Sequence, residues 1–367
     1  MQANSARSPS RQTGFTLVEI MVGLAIGMLA TVVIIQVISV FEAQRRTTSG
    51  TADAQTNGGI ALYNIVRELQ MAGYPLVPVT DSALECTTLT LNGVADTVPA
   101  SNFVRLSPVT IADDVVGAGV NASPSDAVTL RFGTAPMGGI PTLINAAPTG
   151  NDANVDTNLG CQAGDTVLIT SGPACALTSV AVPWVPVAKK VTLANTTLAN
   201  AGANLACLGT WNEVTYAVNN GNLERNGVAV VAGVVNLQAQ YGISETPQSN
   251  QVVQWVNASG ATWAAPTVAN RNRIKSVRLA VVARNAKIEA AAVTAACSST
   301  TTAAPTGLCA WDATSALPNP VAAPYVASPA PTIDLSAGDP NWRRYRYRVF
   351  ETIIPLRNMV WSRETLL

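Results

Sequence analysis

GFTLVEIMVGLAIGMLATVVIIQVISVF, Gly14 to Phe41, holds one carboxylate, Glu19, near the start of a run otherwise apolar throughout. From Ile20 to Phe41, 22 residues pass without a charged side chain. At about 1.5 Å per residue they make about 33 Å of helix, the thickness of a bilayer's hydrocarbon core. A secretory signal would carry a shorter apolar region with its cleavage site after it, whereas here the break suggested by Gly14 comes before the run. Arg7 and Arg11 precede the run and place the N-terminus in the cytoplasm. A mid-membrane acid costs about 2.5–3.5 kcal/mol, and each Leu, Ile, Val or Phe returns about 0.3–0.6, so insertion is still favoured. An intramembrane carboxylate needs a cation, and this segment supplies none. A cut after Gly14 would expose an α-amino group on Phe15 at the depth of Glu19, available to a neighbouring copy or paralogue. The pairing so predicted is intermolecular. Gly23 and Gly27 form a GxxxG, the spacing that lets two helix backbones approach closely.

The rest of the chain has a different character. Its 367 residues are 48% apolar and 12% charged, enough for a packed core, and 22 basic residues balance 22 acidic ones. Loss of residues 1–14 removes two arginines and no acid, leaving 20 against 22, so general attraction to nucleic acid is not expected. The sequence contains no histidine, which excludes Ser/His/Asp and Cys/His catalysis and the HExxH zinc site. The expectation is a protein that is not an enzyme and carries no cofactor or metal.

Cys86, Cys161, Cys175, Cys207, Cys297 and Cys309 form no CxxC pair, and an even, dispersed set predicts disulfides in an oxidising compartment. Proximity suggests Cys161 with Cys175, Cys297 with Cys309 and hence Cys86 with Cys207, although six cysteines leave fifteen pairings open.

After Phe41 a polar stretch leads to IALYNIVRELQMAGYP, where Leu62, Ile65, Val66 and Leu69 recur at helical spacing. Gly73 serves as the C′ residue and Pro75 as a stop, so residues 15–74 read as the N-terminal helix, with 15–41 its membrane-spanning part. Gly50, Gly58 and Gly59 make a bend plausible, each costing about 1 kcal/mol against alanine. Residues 75–367 read as a β-rich head: DAVTLRFG, with Val128, Leu130 and Phe132 on one face and Thr129 and Arg131 on the other, GDTVLIT, WNEVTYAV, GVVNLQAQYGI, IKSVRLAVVARN and RYRYRVFETIIPL. NNGN at Asn219 to Asn222 signals a hairpin. The fold class is α+β, a long helix laid on one mostly antiparallel sheet. Residues 135–158 and 297–340, rich in Ala, Thr, Pro, Gly and Asn, read as surface loops. The second contains seven prolines, too many for a central strand.

Two stretches invite chemical readings. Asp152, Asn154, Asp156 and Asn158 alternate as calcium ligands do, but Thr157 and Ala163 stand where a calcium loop wants Gly and Glu, so an Asx-rich turn is expected. Arg344, Arg346 and Arg348 interleave with Tyr345 and Tyr347; on a strand the two sets face opposite ways, which predicts buried tyrosines and solvated arginines rather than a single-strand nucleic-acid surface.

GFTLVEIMVGLAIG resembles the class III signal of type IV pilins and type II secretion pseudopilins. IVRELQMAGY, SDAVTLRFG, VVAGVVNLQAQYGI, IKSVRLAVVARN and RRYRYRVFETIIPLRN follow in the order found in PilW-type minor pilins. The resemblance implies a pilin-like fold and cleavage after Gly14 by prepilin peptidase. It implies N-methylation of Phe15 and neutralisation of a neighbour's amino terminus by Glu19. It further implies a single pass through the inner membrane before assembly and then a place in the pilus, at the priming and tip complex. The partners implied are other minor pilins, the major pilin, the inner-membrane assembly machinery and a tip adhesin, with adhesion and twitching motility as the outcome. A pseudopilin of type II secretion shares the leader and helix; a membrane-anchored binding protein that never polymerises is the other reading.

Overall fold

The computed structural model describes residues 14–76, 83–96, 106–116, 124–298, 307–311, 331 and 333–361. The chain divides into two compact units, Met1–Gly50 and Thr51–Leu367. Helix α1, Leu17–Leu69, contributes to both. In the first unit its segment Leu17–Glu42 has mean hydropathy 2.5 and buries none of its surface. An apolar surface on every side of a helix belongs in lipid or among other apolar helices, not in water.

In the second unit α1 turns one stripe inward. Ala54, Ala61, Ile65 and Leu69 are buried, with Leu62 and Val66 half-buried beside them. The stripe therefore starts earlier than the Leu62–Leu69 pattern, through small residues. The helix does not break at its glycines: Gly58 is required because any Cβ there would overlap the Phe350 ring packed against it. The helix ends at Leu69, four residues before Gly73, whose N–H donates to Arg131 O at 2.8 Å.

Among the described residues the head forms three sheets, not the one expected. The first runs β2 (Val94–Ala95), β1 (Thr88–Leu91), β8 (Ala174–Ser179), β7 (Thr166–Ser171), β10 (Asn204–Gly209), β5 (Thr142–Thr149), β6 (Asp152–Val155), β9 (Lys190–Thr192). The second runs β13 (Val228–Ala232), β12 (Asn222–Arg225), β11 (Asn212–Asn219), β4 (Pro124–Phe132), β3 (Val109–Val116). The third runs β15 (Val252–Val256), β14 (Val234–Ser244), β16 (Ile274–Arg284), β17 (Tyr347–Pro355). Every pairing is antiparallel except β1 with β8. The NNGN turn joins β11 to β12 with Asn220 and Gly221 both at positive φ, 49° and 71°, as a two-residue hairpin turn demands.

Two strand-level expectations are corrected, and one buried cation is added. Residues 135–158 are not loop throughout, for β5 and β6 lie within them. Pro148 is tolerated in β5 because the β5–β6 ladder is irregular there, with register shifts on either side of Ala146. Arg131, on the face opposite Val128, Leu130 and Phe132, is also buried: it is 2% exposed, donating to Glu213 Oε2 at 2.7 Å, Thr110 Oγ1 at 3.2 Å and Ser107 O at 3.3 Å. The last strand begins at Tyr347, because Trp342–Arg344 forms a turn of 3₁₀ helix.

β4 and β11 are direct neighbours, with Phe132 opposite Asn212. The residues between them thus make an excursion from one hairpin, and they carry a core of their own around Ile144, Val167, Ile169, Val191 and Leu205. The principal core instead joins α1 to β4, β11, β14 and β16 through Ile65, Leu130, Tyr216, Leu237, Tyr241 and Leu279. β14 is buried along its whole length and β16 almost so, which puts both faces of the third sheet's two central strands under cover.

Asp126 ties β4 to two neighbours. Its Oδ1 accepts the Asp114 N–H at 3.0 Å, from a bulge in β3, and its Oδ2 accepts the Ala239 N–H of β14 at 2.6 Å. Asp113, Asp114 and Tyr241 also face this carboxyl. Burial, outweighing the two N–H donors, pushes its pKa up to about 7. A folded pKa above the unfolded value makes the contribution to stability complete below about pH 4 and lost as pH rises to about 7. The head is expected to unfold in less urea at pH 7.5 than at pH 4.5, by on the order of a few kcal/mol from this group, with Asp126→Asn removing most of that difference.

Candidate functional site

The start of α1 is where the chemically unusual residue lies. Thr16 precedes the helix, and the side chain of Glu19 folds back over it, as helical Cα–Cβ bonds incline toward the N-terminus. Glu19 Oε2 accepts both the Thr16 N–H and the Thr16 hydroxyl, each at 2.9 Å, while the Glu19 N–H donates to Thr16 Oγ1 at 3.3 Å. This reciprocal capping box satisfies free donors at the helix start and sets a negative charge at the positive end of the dipole. The sequence reading named Glu19 but missed Thr16, although the T-x-x-E spacing signals it. Oε1 has no partner among the described residues. Phe15, next to Thr16 in the chain, is 84% exposed.

Along the exposed helix Gly23 and Gly27 leave a shallow gap, where an added Cβ would meet nothing within 4 Å. The hydroxyls of Thr31 and Ser39 donate to helix carbonyls three residues back, to Met28 O at 2.8 Å and Gln36 O at 2.7 Å. Their polar groups are satisfied without water, as a lipid environment requires. Gly14 lies just before Phe15, and the rest of the expected leader, residues 1–13, lies outside the described residues.

In the head, α1 is fastened by a charged contact. Glu68, 6% exposed, accepts the Tyr216 hydroxyl at 2.9 Å and pairs with Arg225 at 3.0 Å. Burial, and then the Glu68 carboxylate, push the Tyr216 phenol far above its usual range. The group is structural, for it orients the helix on the second sheet.

Two further sequence candidates are committed elsewhere. Asp152 and Asn154 lie on strand β6, not in a turn. Asp152 accepts the Thr192 hydroxyl at 2.7 Å and faces Lys190, and Asn154 donates to Ala147 O at 2.9 Å. Asp156 accepts from Asn145 at 2.8 Å, and Asn158 donates to Val187 O at 2.9 Å, so the four do not converge on one point. Of the arginine and tyrosine run, only Tyr347 and Arg348 are in β17. Arg344 donates to Glu289 O at 2.8 Å, Arg346 to Glu289 Oε1 at 2.9 Å, and Tyr345 lies under the Arg284 guanidinium at 4.1 Å. The expected alternation of faces fails because the chain enters the strand late.

All six cysteines are bonded, as Cys86–Cys175, Cys161–Cys207 and Cys297–Cys309. Only the last agrees with pairing by proximity. β1 runs beside β8 and brings Cys86 to Cys175, leaving Cys161 for Cys207 on β10.

An apolar helix led by an acid, followed by a mostly antiparallel head, defines an α+β pilin-like protein. The prokaryotic N-terminal methylation motif matches residues 9–35, a span that includes Gly14, Phe15 and Glu19. PilW, the type IV pilus-assembly protein W, matches residues 203–358, from the end of the first sheet through β17. These two matches support a reading of the chain as similar to PilW-type minor pilins, a structural rather than enzymatic family. No curated protein and no solved structure matches it. Most of the eight-stranded sheet lies outside both matched spans.

Proposed function

We propose that the chain is inserted in the inner membrane with its N-terminus in the cytoplasm, cut after Gly14 and methylated on Phe15. It then packs by α1 into a type IV pilus, within the minor-pilin complex that primes assembly and occupies the tip. Its work is mechanical: its head contacts other minor pilins, the major pilin or a tip adhesin, and adhesion and twitching depend on the fibre so begun. Prepilin peptidase and the inner-membrane assembly machinery handle it on the way.

The observation that carries this reading is Glu19 Oε1, without a partner among the described residues, at the start of a helix whose segment Leu17–Glu42 has no buried residue. One carboxylate oxygen steadies its own helix through Thr16, and the other faces the position where a neighbour's amino terminus would arrive. In hydrocarbon an ion pair is weakly screened, so it can select depth and register between subunits. The Gly23–Gly27 gap lets an adjacent helix approach closely.

Mass spectrometry of the purified protein, with immunodetection in sheared filaments, tests the proposal. The expected species begins at N-methylated Phe15 and is found among the filaments. A native protein beginning at Met1 and absent from them would overturn it.

A further inference from the structure

Six strands end the three sheets, and five are ill suited to further pairing. β2 and β9 have only two and three residues. β3, β13 and β15 each carry a register shift against their single neighbour, the irregularity that keeps an edge from acting as a template. β17 differs. Its nine residues pair with β16 in unbroken register, from Tyr347 opposite Arg284 to Pro355 opposite Ser276, and among the described residues no strand occupies its outer side. β16 behind it is buried on both faces, so the edge is rigidly held. Arg348, Glu351 and Ile353 are exposed along it.

The first turn of this edge borders a cleft of about 240 Å³, lined by Thr51 and Ala54 of α1, Val293, Thr294 and residues 346–348. Most of its polar groups are engaged. Arg346 is paired with Glu289, the Thr294 hydroxyl donates to Tyr345 O at 2.6 Å, and the Tyr347 hydroxyl donates to Trp342 O at 2.9 Å. The Arg348 guanidinium has no partner among the described residues. Glu351, further along, accepts the Trp311 N–H at 2.8 Å and, three residues from Arg348 on the strand, has its side chain on the other face. The cleft is smaller than pockets that take drug-sized ligands, which run from about 300 Å³ upward, and it offers one uncompensated cation. A single acidic side chain fits that size and charge.

We propose that the outer edge of β17 receives an extended segment of a neighbouring subunit's head as an added strand, with an acidic side chain of that segment seated against Arg348 in the cleft. The main-chain ladder supplies attraction to any extended chain, and the acid at Arg348 sets register and choice of partner. The inference rests on the pilin reading, which supplies the neighbouring subunit.

The test uses the full chain in cells, with p-benzoylphenylalanine placed at Ile353 and, for comparison, at exposed Val228 on the irregular β13 edge. The expected result is an adduct from position 353 alone, mapped by mass spectrometry to a segment of another subunit containing Asp or Glu. Arg348→Glu should cut its yield roughly fivefold or more, and Arg348→Lys should retain it. An adduct within the same chain, equal yields from 353 and 228, or a yield unmoved by Arg348→Glu would each overturn the proposal. Sheared filaments from the same cells separate the two readings. A protein present in filaments without the adduct refutes the edge alone, and one absent from them refutes the pilin reading.

Discussion

Glu19→Ala is expected to leave membrane insertion and leader cleavage intact while removing the protein from sheared filaments. Insertion should improve, since an acid within the span costs about 2.5–3.5 kcal/mol on insertion scales. The capping box is lost with the carboxylate, which costs the helix start about 1 kcal/mol, too little to unfold a helix running from Leu17 to Leu69. The large effect falls on assembly. A neighbour's ammonium left in hydrocarbon without its counter-ion costs about 3–5 kcal/mol, which amounts to loss of incorporation by about a hundredfold or more. Thr16→Ala separates the two contributions, because it removes the cap and keeps the charge. Its filaments should contain the protein within a few-fold of the native level. The measurement is the ratio of mature protein in sheared filaments to that in membranes. Equal ratios for native and Glu19→Ala protein would show that the carboxylate does not join subunits.

That prediction was legible from the sequence because it depends on neighbours along the chain. An uncharged 22-residue run has no alternative fold to compete with it, and the position of Glu19 relative to Gly14 is a matter of spacing. The strands read best where pattern is dense: Val128, Leu130 and Phe132 alternate in β4, and the continuous runs of β14 and β16 mark strands covered on both faces. What escaped depends on distant partners. Sequence pattern assigns Arg131 a strand face but no partner, until Glu213, 82 residues on, is brought beside it by the β4–β11 pairing. β5 looks like loop because Pro148 disguises it, and only the ladder with β6 reveals an irregularity that accommodates proline. The open edge of β17 depends on the state of five other edges, which no local pattern records.

Replacing Cys86 and Cys175 together by alanine is expected to lower the stability of the head by about 4 kcal/mol, the largest loss among the three disulfides. Their separation of 89 residues exceeds the 46 of Cys161–Cys207 and the 12 of Cys297–Cys309, and the entropy removed from the unfolded chain grows with the loop closed. Position in the fold adds to it, since β1 meets the first sheet by parallel pairing with β8, and the bond sits at the start of that pair, where Leu89 lies opposite Cys175. Pairing by proximity fails here for a geometric reason. Cys161 lies before the start of β7, whereas Cys175 is opposite Thr170, near its end, so most of a strand length separates them. Urea unfolding of the oxidised protein should therefore show a smaller loss, about 3 kcal/mol, for the Cys297→Ala, Cys309→Ala pair than for the Cys86→Ala, Cys175→Ala pair. Peptide mapping without reductant should recover Cys86 joined to Cys175. Recovery of Cys161 joined to Cys175 would mean that β1 does not lie beside β8, and the order of the eight-stranded sheet would have to be redrawn from that edge inward.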